Sequence, residues 1–444
     1  MAEIKRASRK ELLGWAMFDF ANSSYTTVII TVVFCIIFPK LIVGDGPEYR
    51  LGNLLWSASI SASYLIVLLT APLLGAIMDY TGSKKKFLFG SCLLTVLATA
   101  ALYFVEPGGI LLGMLLIILS NIGFSYSESF VSSFLPGLGP AEDMGKISGY
   151  AWGLGYFGGL TSTAIVIFGL GAGVYTIENF PNLRLVGPVT GLFFLVAAIP
   201  TFLWVKERSI PRTLPPGESY FAVGLKRLKK TFRDVRDYKD LLVLLASFFF
   251  AYAGLSIVIA FAFIYGDQVV KWSGKTQILM FVITQFTAAA GAFLFGIIQD
   301  KWQAKRTFIM TLILWVVAVS LIYGVASVTA FVNSVLGASL KQEHVFLVIG
   351  SIAGLGLGST QSACRAMVGL FSPDTKAGEF FGLWSLTSRL SAIMGLMGLG
   401  ILQTLFGLQK AVLVCSAFFF IAVIIVLFVD EERGKTVARE HAGE

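Results

Sequence analysis

The chain has 444 residues, 56% of them hydrophobic and only 14% charged, with 34 Lys and Arg against 26 Asp and Glu for a formal net charge of +8. Its apolar residues come in runs of about twenty between short polar loops, the length that carries an α-helix across a bilayer, and this excludes a soluble globular enzyme. Backbone groups in lipid must pair within the chain, so long unbroken apolar runs mean helices; barrel strands would alternate over about ten residues.

In chain order the predicted spans are 13–38, 52–78, 87–105, 109–135, 146–171, 186–205, 241–265, 276–299, 306–328, 345–371, 379–405 and 408–429. The expected fold class is an all-α membrane protein of twelve transmembrane helices. The first span is read as a true span: it carries Asp19 and Asn22, is too long for a leader, and lacks a small-residue cleavage site. An even count puts both termini on one side. With that side cytoplasmic, 25 of the 34 Lys and Arg fall in cytoplasmic segments, 7 outside and 2 within spans, as the positive-inside rule requires. A multi-pass protein with both termini cytoplasmic follows, in the inner membrane if the source is bacterial. The positive charge records orientation in the lipid bilayer, and no nucleic-acid partner is expected. Cys35, Cys92, Cys364 and Cys415 lie within spans as small apolar residues, while His344 and His441 lie outside them. No catalytic residue, metal site or cofactor is expected.

The chain repeats itself. "GAIMDYTGSKKK" follows the second span and "GIIQDKWQAKR" the eighth, each giving Gly, three residues, Asp and a basic cluster. Gly75, Asp79, Lys84 and Lys85 correspond to Gly296, Asp300, Lys305 and Arg306, with the glycines 221 residues apart (296 − 75), half the chain. Lys146 and Glu379 each open a helix three residues before a glycine, and Glu128 and Arg365 each stand eight residues before a proline. Two pseudo-symmetric six-helix bundles are predicted, 1–206 and 241–444 with its tail, joined by a cytoplasmic linker, 207–240. In the linker Phe221, Leu225, Leu228, Phe232 and Val235 recur at helical spacing opposite Lys226, Arg227, Lys229, Lys230 and Arg233, the pattern of a helix lying on an anionic membrane face.

Polar stripes mark a pathway. Asp19, Asn22, Ser23 and Thr26 share a face of the first span, and Asn121, Ser125, Glu128, Ser129 and Ser132 a face of the fourth. Gln361 and Arg365 lie in the tenth span; Ser385, Ser388 and Arg389 lie in the eleventh. Charges inside a bilayer face a cavity or one another, and Glu128 with Arg365 is expected on opposite walls of a central cavity. Individual Ser and Thr residues have a plainer role as hydrogen-bonding glue between helices. Trp152, Tyr156, Tyr252 and Trp384 can add aromatic surface to the pathway or pack in the core. Asp19 lies near the cytoplasmic edge, where it suits a gate or a substrate contact.

The loop after the second span resembles the signature of the major facilitator superfamily, with Tyr80 where that family carries a basic residue and with Gly82, Lys84 and Lys85 matching. A closer resemblance is to the branch of fungal vacuolar amino-acid effluxers and their bacterial relatives. It is carried by "FDFANSSYTTVI" (Phe18 to Ile29), "SSFLPGL", "ISGYAWGLGYFGGL" (Ile147 to Leu160), "QSACRAMVGLFSP" and "GEFFGLWSLTSRLSAIMG" (Gly378 to Gly395). The resemblance implies the facilitator fold and a cytoplasmic gate in which Asp300 meets Lys146 and Glu379 meets Lys84 or Lys85. Where that branch has an Asp-Gly pair in the seventh helix, this chain has Ala253 before Gly254, so no coupling role falls there.

With no nucleotide-binding loop, active transport would draw on a gradient. The expected function is a secondary transporter that moves a small polar or zwitterionic solute by alternating access, coupled to protons. The resemblance suggests amino acids as the solute class. A uniporter, or a non-transporting sensor or scaffold on the same fold, is the alternative. Nothing in the sequence requires more than a monomer.

Overall fold

A computed structural model describes residues 6–44, 49–233 and 237–441. Eleven helices among them are long and apolar enough to cross a membrane: Arg9–Val43, Leu51–Thr81, Lys84–Phe104, Ile110–Gly137, Ala141–Gly169, Phe180–Trp204, Lys239–Ala260, Gly274–Trp302, Ala304–Tyr323, Gln342–Leu370 and Leu408–Val426. Ala377–Phe406, a helix of 30 residues, stands in the eleventh place and completes twelve.

Local chemistry sets several ends that hydropathy alone misplaces. The first span begins at Arg9 because the Ser8 hydroxyl accepts the Glu11 N–H at 3.2 Å, a helix N-cap. Within that span, Tyr25–Val32 and Phe38–Val43 widen to i→i+5 hydrogen bonding, a rare geometry that recurs at functional sites. The expected ninth span, 306–328, instead ends at Tyr323, and Gly324 turns the chain into a separate helix, Val325–Leu336. Its apolar residues had run on without a break in the sequence.

The internal repeat reappears as paired polar staples on the face that holds both chain ends. Glu11, at the start of the first span, takes two hydrogen bonds from Arg208 (2.6 and 2.9 Å) and one from the Lys206 N–H. Asp240, at the start of the seventh, takes two from Arg433 (2.7 and 2.8 Å) and one from the Asp430 N–H. Glu207 accepts the Lys85 N–H, and Glu431 accepts the Lys305 N–H, at 2.9 and 2.8 Å. Each set ties the first, third and sixth helices of its half together. Bidentate, charge-assisted bonds of this kind are the stronger class.

Across the two halves, the second span meets the eleventh and the fifth meets the eighth, backbone against backbone. A Cβ added at Gly75 would overlap the Gly378 carbonyl, and one added at Gly296 would lie 2.6 Å from the Gly145 carbonyl oxygen. Small residues are what permit this approach. Gly296→Val is therefore expected to hold the fifth and eighth spans apart on this face and to cut flux at least about tenfold without lowering yield, since overpacking costs roughly 1–3 kcal/mol. Distances between spin labels at Lys86 and Lys301 would lengthen in the variant; an unchanged distance distribution would contradict the packing argument.

The linker helix, Tyr220–Arg233, differs from its expected orientation. Val223 and Gly224 are buried, with Gly224 against Ile77 and Leu73 of the second span, while Phe221 and Leu225 are 60% and 37% exposed. Arg227, assigned by spacing to the outer charged face, turns inward, because a carboxylate of the eleventh span waits there. Val235 and the side chains of Leu228, Phe232 and Arg233 fall outside the described residues.

Candidate functional site

Between the halves lies a cavity of roughly 360 Å³. Its walls come from both halves: Asp19, Asn22, Ser23 and Thr26 of the first span, Asn121 and Glu128 of the fourth, Tyr156 of the fifth, Gln361 and Arg365 of the tenth, and Arg389 of the eleventh. It runs from Asp19 and Arg365 to Trp272 and Ile322, at the far ends of the seventh and ninth spans, away from the face that holds the chain ends.

Two ion pairs cross this cavity. Glu128 and Arg365 both line it, one from each half, and each pairs with a different residue. Arg365 turns toward the first and fifth spans. Its Nη1 donates to Asp19 Oδ2 at 2.7 Å, its Nε to Ser148 Oγ at 3.1 Å and its Nη2 to the Ser148 carbonyl at 3.0 Å. The guanidinium is sandwiched by Trp15 and Trp152, 4.9 and 5.3 Å from the ring centres. Arg365 is 2% exposed, so an unpaired cation there would be costly; the carboxylate, the serine and two rings together compensate it.

Glu128 pairs with Arg389 instead, whose Nη2 donates to Glu128 Oε2 at 2.6 Å. Arg389 also lies over the rings of Tyr64 (5.0 Å) and Phe124 (5.9 Å), and its Nε is buried without a hydrogen-bond partner among the described residues. The acid in both pairs comes from the first half and the base from the second. Helix neighbours decided the exchange: the tenth span packs on the fifth, which carries Ser148, and the eleventh packs on the fourth, which carries Glu128.

Around the pairs sit groups with spare hydrogen-bonding capacity. Asn121 donates to Ser63 Oγ at 2.6 Å, and Gln361 donates to the Tyr156 hydroxyl at 3.3 Å. Asn22 Oδ1 and Trp152 Nε1 are buried with no partner among the described residues. An acceptor and a donor left open on a cavity wall suit a polar solute that would satisfy them.

Other expected residues lie elsewhere. Ser125 is buried in helix packing away from the cavity wall, and Trp384 packs between Phe248 and Phe381, 6.0 Å from each ring. Tyr64, Ser148 and Trp15 were missed by sequence reading. Tyr64 stands in an ordinary apolar run and Ser148 beside a glycine, so neither position carried a signal of charge recognition.

Below the cavity, the face holding the chain ends is closed. Asp300 Oδ1 accepts the Gly145 N–H at 2.8 Å, Oδ2 accepts the Lys146 N–H at 3.0 Å, and Lys146 Nζ stands 3.5 Å away. An acid at the end of the eighth span thus caps the start of the fifth, a favourable charge at a helix N-terminus. Asp79 mirrors it by accepting the Glu379 N–H at 3.1 Å. Glu379 takes its ion pair from Arg227 at 2.7 Å rather than from Lys84 or Lys85. Lys84 lies 3.9 Å from Asp79 and donates to the Ser133 carbonyl, and Lys85 serves the staple at Glu207. Arg306 is exposed and forms no ion pair among the described residues. Gly75 and Gly296 mark the two close approaches.

Residues 54–439 match the family described as "Vacuole effluxer Atg22 like". An uncharacterized MFS-type transporter of Bacillus subtilis, YxiO, is 26% identical over 442 residues, covering 98% of each chain. Autophagy-related protein 22-1 of Penicillium rubens is 26% identical over 88% of this chain and 79% of its own. Among solved structures, the major facilitator superfamily proton:xylose symporter XylE superposes with a TM-score of 0.68 at 14% identity, covering 97% of this chain and 96% of its own, a likeness of fold.

Proposed function

This chain belongs to the Atg22-like vacuole effluxer family and is a multi-pass membrane transporter of the major facilitator type, and from that premise we propose that it moves a small polar or zwitterionic solute, amino acids among them, by proton-coupled alternating access. The observation that carries this reading is the pair of acid–base contacts between halves, Asp19 with Arg365 and Glu128 with Arg389, on the wall of one cavity. Residues 1–206 and 241–444 are the two moving units and 207–240 joins them.

Each contact has a chemical alternative. A solute carboxylate can take Arg389 by paired hydrogen bonds, and a solute amine can take Glu128. Protonation of Glu128 removes the charge that holds Arg389 and frees the guanidinium for solute. Competition among proton, solute and arginine for the same carboxylates couples the two fluxes. The terminal face, closed by Asp300 on the fifth span and Asp79 on the eleventh, is the gate that opens when the halves rock. The distribution of lysine and arginine supports placing that face in the cytoplasm, and a monomer suffices for the cycle.

Uptake into proteoliposomes, measured over a panel of amino acids and small metabolites with and without an imposed proton gradient, tests the reading. Saturable uptake of a zwitterion that rises with the gradient is expected. Saturable uptake indifferent to the gradient would reject the coupling and leave a uniporter; no uptake of any compound would reject the solute class.

A further inference from the structure

The linker helix carries more than a connection. Its Arg227 donates from Nε to Glu379 Oε1 at 2.7 Å and from Nη2 to the Thr375 carbonyl at 3.0 Å, so a residue between the halves grips the start of the eleventh span. Its Gly224 rests on Ile77 and Leu73 of the second span. Ahead of the helix, the Arg212 N–H donates to the Tyr80 carbonyl at 3.0 Å, and the Tyr80 hydroxyl donates to the Thr213 carbonyl at 2.7 Å. The helix therefore lies across the seam between the second and eleventh spans, where Gly75 meets Gly378.

Its outward side has a different character. Tyr220 and Phe221 are 50% and 60% exposed, and Lys226, Lys229 and Lys230 are exposed on the same helix. The buried side leans on membrane-spanning residues, so the helix sits level with the end of the second span. Exposed aromatic rings beside lysines at that level match the boundary of a bilayer that bears negative headgroups.

We propose that this surface binds anionic lipid, and that lipid binding seats Arg227 on Glu379 and holds the terminal face closed. The lysines and aromatic rings anchor the helix in the headgroup layer. Anchoring fixes the distance between Arg227 and the eleventh span, and releasing the helix frees Glu379 and Asp79 together. Membrane charge thereby sets the balance between closed and open gates, whatever solute the cavity takes.

The test reads the gate directly and needs no substrate. Spin labels at Lys86→Cys and Lys301→Cys, in a chain whose four native cysteines are replaced by alanine, report the separation of the halves on the terminal face. The protein is placed in vesicles of phosphatidylcholine alone and in vesicles containing about one third phosphatidylglycerol. The ratio of closed to open populations is expected to be roughly fivefold or more higher in the anionic vesicles. The triple variant Lys226→Ala, Lys229→Ala, Lys230→Ala should lose that dependence while keeping its distances in neutral vesicles, and Arg227→Gln should shift toward open in both. Equal ratios in the two lipids for the unmodified chain would overturn the proposal, as would a lipid dependence that survives in the triple variant. A response in neutral vesicles to added soluble polyglutamate, with none to anionic lipid, would overturn it in favour of an acidic protein partner. Because the readout is a distance, failure here is separable from failure of the transport reading.

Discussion

Replacing Arg365 with alanine is expected to abolish transport and to destabilise the protein. Arg365 is 2% exposed and bonded to Asp19 and Ser148, so the substitution leaves the Asp19 carboxylate buried without its partner. Breaking one side of a buried pair costs about 3–5 kcal/mol. Since every 1.4 kcal/mol is tenfold in an equilibrium, a loss of that size lowers the folding equilibrium constant by about a hundredfold or more. Flux should be lost with the contact between halves, with a clear drop in the thermal unfolding midpoint in detergent. The double variant Asp19→Asn, Arg365→Ala removes both charges, so it should recover most of the midpoint and none of the flux. If the single variant transports normally, the buried arginine is only packing. If the double variant also recovers flux, the pair has no part in the cycle.

Glu128→Gln is expected to separate exchange from accumulation. The substitution keeps the shape and one hydrogen bond to Arg389 but cannot release a proton. Accumulation driven by an imposed proton gradient should be lost, because the amide offers no site for the coupled proton, while gradient-free exchange of internal for external solute persists. Arg389→Lys should impair solute affinity in both modes, because a lysine keeps the charge but lacks the planar fork and the stacking on Tyr64 and Phe124. Gradient-driven uptake that survives intact in Glu128→Gln would move coupling to another carboxylate, with Asp19 the next candidate.

The architecture was legible because lipid imposes a simple rule: a helix that crosses it must be apolar for about twenty residues, and eleven of the described helices obey that rule. The repeat was legible through Gly75–Asp79 and Gly296–Asp300, whose spacing survives in the paired caps on the eleventh and fifth spans. Charged residues within spans also announced themselves, since so few are tolerated there. Their partners did not. Whether Arg365 meets Glu128 or Asp19 depends on which helices stand side by side across the cavity, and no local pattern encodes that. The tenth span packs on the fifth and the eleventh on the fourth, so Arg365 reaches Asp19 and Ser148 while Arg389 reaches Glu128.

Arg227 was hidden for a related reason. Helical spacing placed it among lysines on a solvated face, and only the position of Glu379 draws it inward. Tyr64 and Trp15 gave no signal, because a ring among apolar residues reads as core until a guanidinium is found over it. Val325–Leu336 escaped because hydropathy measures transfer from water and does not register a turn at a single glycine.

The most direct test of the account follows both faces of the protein at once. Label pairs at Lys86 and Lys301 on the terminal face and at Glu106 and Lys275 on the opposite face would be measured by pulsed electron resonance in the unmodified chain and in the double variant Asp19→Asn, Glu128→Gln. Two populations that exchange reciprocally are predicted: with the carboxylates bonded to Arg365 and Arg389 neutralised, the terminal pair lengthens while the opposite pair shortens. One fixed distance in both proteins, or both faces opening together, would contradict alternating access controlled by these ion pairs.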